Sequence, residues 1–270
     1  MLEPAVDLDY DLDEDKGLYT GWLFQGLCRA HHFFFDRVRQ AVVDTTVDGP
    51  PGRVLDVGCG IAYEAAIFSR RGWQSWGLEP SPAMLARART NVERSRARVT
   101  LVRGIAERLP FKDDAFDRVL CQGSLDHFAD PQAFVAELAR ILKPEGRAVI
   151  ALTNYDSLSC RLGRVVFAVR RAFGLPLPPP EYRYWQPPVT HTFRGNHASI
   201  AGLGGSRLRM ERCFGISLLW LLPRWTQIVE RMPAPLGEAA LRALDGVAYR
   251  LPALADMIVS VWTPFGRWKA

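Results

Sequence analysis

Apolar positions in the first half of the chain fall into short runs separated by amphipathic stretches. Val54-Leu55-Asp56-Val57 is β-branched, bounded by Pro50-Pro51-Gly52 and by glycines, and predicts a buried strand. Ala62, Ala65, Ala66, Ile67 and Phe68 then recur at helical spacing and stop at Gly72. Trp73 to Leu78 repeats the strand pattern. Ser81 ahead of Pro82 starts a second helix, running to about Asn91, because a hydroxyl cap and a first-turn proline both suit a helix start. Val99 to Val102 and Phe116 to Cys121 predict two more strands. Asp130 and Pro131 open a helix that ends near Leu142, and a turn at 143–146 leads into a fifth strand, Arg147 to Leu152. Alternating strand and helix predict an α/β protein with a doubly wound, mainly parallel sheet.

The flanks read differently. Residues 1–16 form an acidic arm and 18–43 a helix, with Leu23, Leu27, Phe34 and Val38 on one face and Phe33 and Phe35 broadening it. This aromatic helix either covers a ligand crevice or packs on the sheet edge. Beyond residue 152 the pattern breaks into a 44-residue excursion, 153–196, too long for an ordinary connection and suited to a lid. It contains a basic amphipathic helix, 160–174, then prolines and the aromatics Tyr182, Tyr184 and Trp185. A short helix at 197–206, a strand at 208–216, an apolar insertion at 218–252 and a closing strand at 257–262 complete the chain. The implied division is an arm and cap helix (1–45), a core (46–152), a lid (153–196) and a C-terminal part of the core (197–270).

Candidate chemistry begins at Gly58-Cys59-Gly60. Strand, glycine turn, helix, strand and acid make the layout of a nucleoside-binding crevice at the carboxyl edge of a parallel sheet. Glu79, about 20 residues beyond the turn, is placed to accept both ribose hydroxyls. The dinucleotide fingerprint wants a third glycine where Tyr63 stands. Asp56 beside the turn repels phosphate and favours a cationic ligand. An NAD-dependent reading is disfavoured on both counts.

The segments VLDVGCG, GLEPSPAMLARAR, GIAERLPF, FDRVLCQGSLDHFADP and LKPEGRAVI, in that order, resemble successive motifs of the class I S-adenosylmethionine (SAM)-dependent methyltransferases, small-molecule branch. The resemblance covers about residues 50–152, with weaker similarity at 191–193 and 256–264. It implies a seven-stranded Rossmann-like sheet with lid insertions, and SAM as cofactor. It places Asp56, Gly58, Cys59 and Gly60 around the methionine part and Glu79 at the ribose. Pro80 and Met84 fall at the adenine face, Ala106 and Glu107 at its edge, and Gln122 beside the sulfonium. Two positions depart from the family: Ala62 replaces a third glycine, and Ile105 replaces the aspartate that meets the adenine amine.

Composition narrows the rest. Of 29 acids, seven lie in residues 1–15, leaving 22 against 34 bases, a formal +12 for the remainder. Five scattered cysteines without a CxxC pair argue for a reducing compartment and against a metal cluster. An acidic start and no bilayer-length apolar run predict a cytoplasmic protein. Methyl transfer needs alignment and sometimes a base, and the candidates are His127 after the fourth strand and His191 in the lid, with Tyr155 and Tyr182 behind them. No nucleic-acid signature is present, so the expected acceptor is a small or lipid-like molecule: a quinone, polyketide or isoprenoid. A non-catalytic nucleoside- or partner-binding protein is the competing reading. The stripe of helix 160–174 either lies on an anionic membrane, with Trp220 to Trp225 as a second contact, or packs against the 218–252 insertion as a roof. Oligomeric state is left open.

Overall fold

A computed structural model of the chain describes residues 28–179, 183–222 and 224–265. Its centre is β1 (Arg53–Val57), whose four apolar-run residues are all buried because the strand is covered on both faces. Leu55 and Val57 enter one core and Val54 the other. The same alternation divides Val119 from Leu120 in β4 (Phe116–Gln122) and Ile150 from Val149 in β5 (Leu142–Thr153).

The seven strands run in the order β3-β2-β1-β4-β5-β7-β6. β2 (Gln74–Glu79), β3 (Val99–Arg103), β4 and β5 join β1 in parallel, while β7 (Met257–Pro264) is antiparallel to both β5 and β6 (Leu208–Ile216). β1 and β4 are neighbours that leave the sheet centre in opposite connection directions, so their carboxyl ends border a switch-point crevice. The turn expected at 143–146 is present, inside β5: Leu142 faces Phe116 and Arg147 faces Arg118, and the residues between bulge from the ladder.

One face carries α4 (Pro131–Ile141), whose Phe134, Val135, Leu138 and Ile141 are fully buried. Asp130 caps it by accepting the amides of Gln132 and Ala133. The other face carries α1 (Arg29–Thr46) and α2 (Tyr63–Arg70). Phe34, Val38 and Val42 of α1 meet Val54, Leu120, Val149 and Val259. The described part of this helix, from Arg29 on, therefore packs on the sheet's face and not on its edge. Leu23, Leu27, Tyr19 and Trp22 lie outside the described residues. α3 (Pro82–Arg94) follows β2 and is capped by Ser81, whose Oγ accepts the Met84 amide.

The insertions are helical. α5 (Leu158–Ala172) lies in the 153–196 excursion, the segment expected as a lid, and α6 (His197–Ala201) returns the chain to β6. α7 (Trp225–Arg231) and α8 (Ala234–Arg250) dock on α1, where Ala30, Val229 and Leu241 share a small core and Arg37 pairs with Asp245 at 2.7 Å. Trp220, read from sequence either as a membrane contact or as part of a packed roof, is stacked on Phe34 at 3.9 Å between ring centroids. Leu221 is buried beside it, so this stretch anchors the insertion to the core. Asp256 at the start of β7 ties both insertions down: its carboxylate accepts the Ser159 hydroxyl at 2.7 Å and the Trp220 amide at 2.8 Å.

Candidate active site

The glycine turn lies at the carboxyl ends of β1 and β2. Gly58 and Gly60 have φ values of 69° and 52°, the left-handed region that glycine enters without steric cost. Gly58 and Cys59 donate their amides to Leu78 O, and Gly60 donates to Glu79 Oε2 at 3.0 Å. Glu79 Oε1 accepts from the Ser81 amide at 3.0 Å. The acid expected at the ribose thus also braces the turn across two strand ends. A Cβ on Gly60 would lie 3.3 Å from Met84 Cε, so Met84 borders the turn. Ala62, which stands where the family has glycine, also adopts a left-handed conformation with φ 56°. For an alanine this carries a cost of roughly 1–2 kcal/mol, and the residue is held there fully buried against Ala65 and Ala88.

Three carboxyls crowd this turn. Asp56 is fully buried and accepts the Ala65 amide; burial pushes its proton affinity well up, and Glu64 and Glu79 push it further. Burial raises Glu64 too, against the opposing charge of Arg39. Glu79 is raised by burial, opposed by the Ser81 and Gly60 amides and by the charge of His127. Such a set repels phosphate and attracts a cation. Gln122, at the end of β4, has a buried Oε1 with no hydrogen-bond partner. An orphaned acceptor at the end of the strand next to β1, together with the clustered acids, fits a ligand bearing ammonium and sulfonium groups and no phosphate.

The remaining expected contacts divide. Pro80 stays at the strand end, its carbonyl accepting from Arg103. The side chain of Cys59 turns away from the crevice: its Sγ fills the space over Gly77, and burial raises the thiol well above its usual range. Only its backbone belongs to the turn. Ala106 is buried in the main core. Glu107 is occupied elsewhere, its Oε1 accepting the amides of Ala129 and Asp130 ahead of α4. Ile105 contributes its carbonyl to the Arg108 amide.

The two candidate bases meet. His127 ends a single 3-10 turn, Leu125–His127, after β4. His191 comes from the far limb of the lid, and the two rings pack edge to face with centroids 4.5 Å apart. Thr192 fastens the lid there by donating its amide to Asp126 O at 2.8 Å and its hydroxyl to Phe128 O. His191 Nδ1 lies 3.0 Å from Asp126 Oδ2 and 3.3 Å from the Tyr155 hydroxyl. With Nδ1–H donated to the carboxylate, Nε2 is the basic nitrogen. Burial, and then the charge of His127, lower His191 to about 4, so it is neutral near pH 7. Burial raises Asp126 to about 6, and its Oδ1 has no hydrogen-bond partner. Asp126, His127 and His191 each also offer a ligand atom within 4.8 Å of the others, a set that could hold a cation.

This cluster adjoins the glycine turn. A Cβ on Gly58 would lie 2.5 Å from Ser124 Cβ, and Ser124 Oγ donates to Val57 O at 3.0 Å. Asp126, Glu64 and Ser124 are the site residues that sequence patterns do not single out. Asp126 had a signal, an acid beside a candidate base; Ser124 had none, because its role is to fill the space above a glycine from another strand. Tyr182 lies outside the described residues.

A family model described as a methyltransferase domain matches residues 55–150. The chain is 31% identical over 168 residues to a ubiquinone biosynthesis O-methyltransferase of Alkalilimnicola ehrlichii, covering 59% of this chain and 68% of that protein. It is 35% identical over 116 residues to a demethylmenaquinone methyltransferase of Thermus thermophilus, covering 42% and 53%. An uncharacterised methyltransferase of Bacillus subtilis is 36% identical over 99 residues, 36% of this chain and 39% of that one. The chain thus spans from about two fifths to two thirds of these relatives' length. Among solved structures, a Pyrococcus horikoshii protein superposes with a TM-score of 0.59 at 17% identity, covering 93% and 99% of the two chains. One titled a [4+2]-cyclase superposes at 0.58 with 21% identity, covering 97% of each. At these identities the superpositions establish the fold alone.

Proposed function

The chain belongs to the class I SAM-dependent methyltransferases, and from that premise we propose that it transfers the SAM methyl group to a small, hydrophobic acceptor whose nucleophile carries an ionisable proton. The observation that carries the reading is the Asp126–His191 pair, brought by the lid onto the loop that touches the glycine turn. Asp56, the turn amides and Gln122 would hold the methionine part, and Glu79 the ribose. SAM supplies an electrophilic methyl on a sulfonium. The carbon–sulfur electron pair would leave with a neutral thioether, so the one proton to be moved is the acceptor's. The acceptor's proton passes to His191 Nε2. Asp126 fixes the tautomer and balances the imidazolium that forms. His127 lies between Glu79 and His191, where it can orient the acceptor. The named quinone methyltransferases among the relatives support a quinone-like ring as the first acceptor class to assay.

The test is a transfer assay at saturating SAM, over a panel of hydroxylated quinones and other apolar phenols. His191→Ala lowers kcat by about 10²–10⁴-fold with SAM affinity unchanged, the loss expected of a general base. Below about pH 6 Asp126 is protonated and donates to Nδ1, leaving the wrong tautomer, so kcat rises with pH through that point. Asp126→Asn removes this limb. If His191→Ala turns over within a few-fold of wild type, the base assignment fails. Loss of turnover on chelation, restored by a divalent cation, would reassign the cluster to metal binding. SAM binding without transfer to any acceptor would favour a non-catalytic binding protein.

A further inference from the structure

α5 presents its greasy side to water. Leu162, Val165, Val166, Val169 and Phe173 recur at helical spacing, and all are exposed: Val165 by 59%, Val166 by 54% and Phe173 by 77%. Leu175 and Leu177 continue the exposed apolar surface past the helix end. The helix is held to the protein by its opposite side. Cys160 and Phe167 pack on Tyr184, Trp185, Trp220 and Leu221. Gly163 lets the helix approach: a Cβ there would lie 2.5 Å from Tyr184 Oη and 2.6 Å from Trp185 Cε3. The two insertions do form a roof, but the stripe that was the obvious candidate for packing is left out of it.

Charge says what the stripe meets. By helical spacing Arg161 borders one side and Arg170 the other. No acid occurs from Ser157 to Pro179. A second copy of this face would set arginine against arginine, which electrostatics disfavours. A continuous apolar arc edged by arginines, on a helix too short and too charged to cross a bilayer, has the form of a segment lying in the interface of an anionic membrane. Arginine suits this place because its aliphatic stem lies on apolar surface while its head reaches phosphate. We propose that the outward face of α5 docks the protein on anionic lipid bilayers, with Phe173 and the valines inserted among the acyl chains. This surface stands independently of the methyl-transfer reading.

The test is co-sedimentation of the full chain with vesicles of phosphatidylcholine alone or with a third phosphatidylglycerol, alongside SAM titration of each variant. Wild type partitions onto the anionic vesicles at low salt and is released at high salt. Val166→Ser with Phe173→Ser lowers partitioning by about a hundredfold or more, since both side chains leave the acyl region. Arg161→Gln with Arg170→Gln lowers it by about 30-fold, from roughly fivefold per arginine near an anionic surface. Both double variants keep the wild-type SAM affinity, because none of these side chains lies in the core or the crevice, and the glutamines give up only surface hydrogen bonds to Asp156 O and Pro176 O. Absence of wild-type binding at low salt would overturn the proposal, as would serine variants that bind normally. A wild-type dimer that the serine variant dissociates, with vesicles ignored, would show the face to be a self-interface instead.

Discussion

Asp56, Glu64 and Glu79 share one turn, and burial is the leading cause that raises each of them. Proton occupancy there depends on what binds. Without a cationic ligand the buried carboxyls hold protons to a higher pH than free acids do; a bound sulfonium and ammonium favour their ionised forms. SAM binding therefore releases protons, and affinity rises with pH across the window in which these acids would otherwise stay protonated. Calorimetry in two buffers of different ionisation enthalpy measures the effect directly. Equal enthalpies in both buffers, with an affinity independent of pH, would remove the acids from the cofactor site. The place of Glu79 at a strand end beyond the glycine turn was legible from spacing. Glu64 was not, because its closeness to Asp56 follows from α2 starting with a left-handed residue rather than from any motif.

Helices and strands show the same division. The parallel core was legible almost to the residue, since strands buried on both faces write continuous apolar runs and the caps at Ser81 and Asp130 mark helix starts. Of the insertions, helix 160–174 was legible as an element and 218–252 only as an apolar stretch, without its two helices. Their contacts were not legible: which side of α5 faces inward depends on Gly163, and nothing local announces that a glycine is the docking side. Asp256 is a second hidden device. Full burial raises it to about 7, while Ser159 and Trp220 hydrogen bonds oppose the shift. A carboxyl raised in the folded state gives stability that is whole below its unfolded value near 4 and is lost as pH rises through about 7. The attachment of α5 and of the 218–222 segment to β7 should accordingly loosen in mild alkali. Asp256→Asn keeps an acceptor without a buried charge, so its melting temperature relative to wild type improves between pH 5 and 8. A difference that does not change with pH would mean that Asp256 is ionised throughout and its hydrogen bonds prevail.

At the scale of the whole molecule, the proposed membrane face and the proposed chemistry share one segment. Arg164 of α5 donates to Tyr155 O at 2.9 Å, and the Tyr155 hydroxyl lies 3.3 Å from His191 Nδ1. Asp156 clamps the two limbs of the lid by pairing with Arg164 at 3.0 Å and Arg194 at 2.9 Å. The lid is thus fixed at both ends over the histidines while its outer face meets the solvent or a bilayer. Glu79 and the glycine turn belong to the sheet and need no lid contact to form. An acceptor presented in anionic vesicles should then be methylated faster than the same acceptor at equal concentration in neutral vesicles, because docking raises its local concentration. The advantage should vanish at high salt and in the Val166→Ser, Phe173→Ser variant, whose turnover of a water-soluble acceptor analogue stays at the wild-type rate. Initial rates over the four combinations of lipid charge and variant decide the point. If the serine variant keeps the full advantage, α5 is not the route by which acceptor reaches His191, and if both acceptor forms slow together, the stripe supports the lid rather than the membrane.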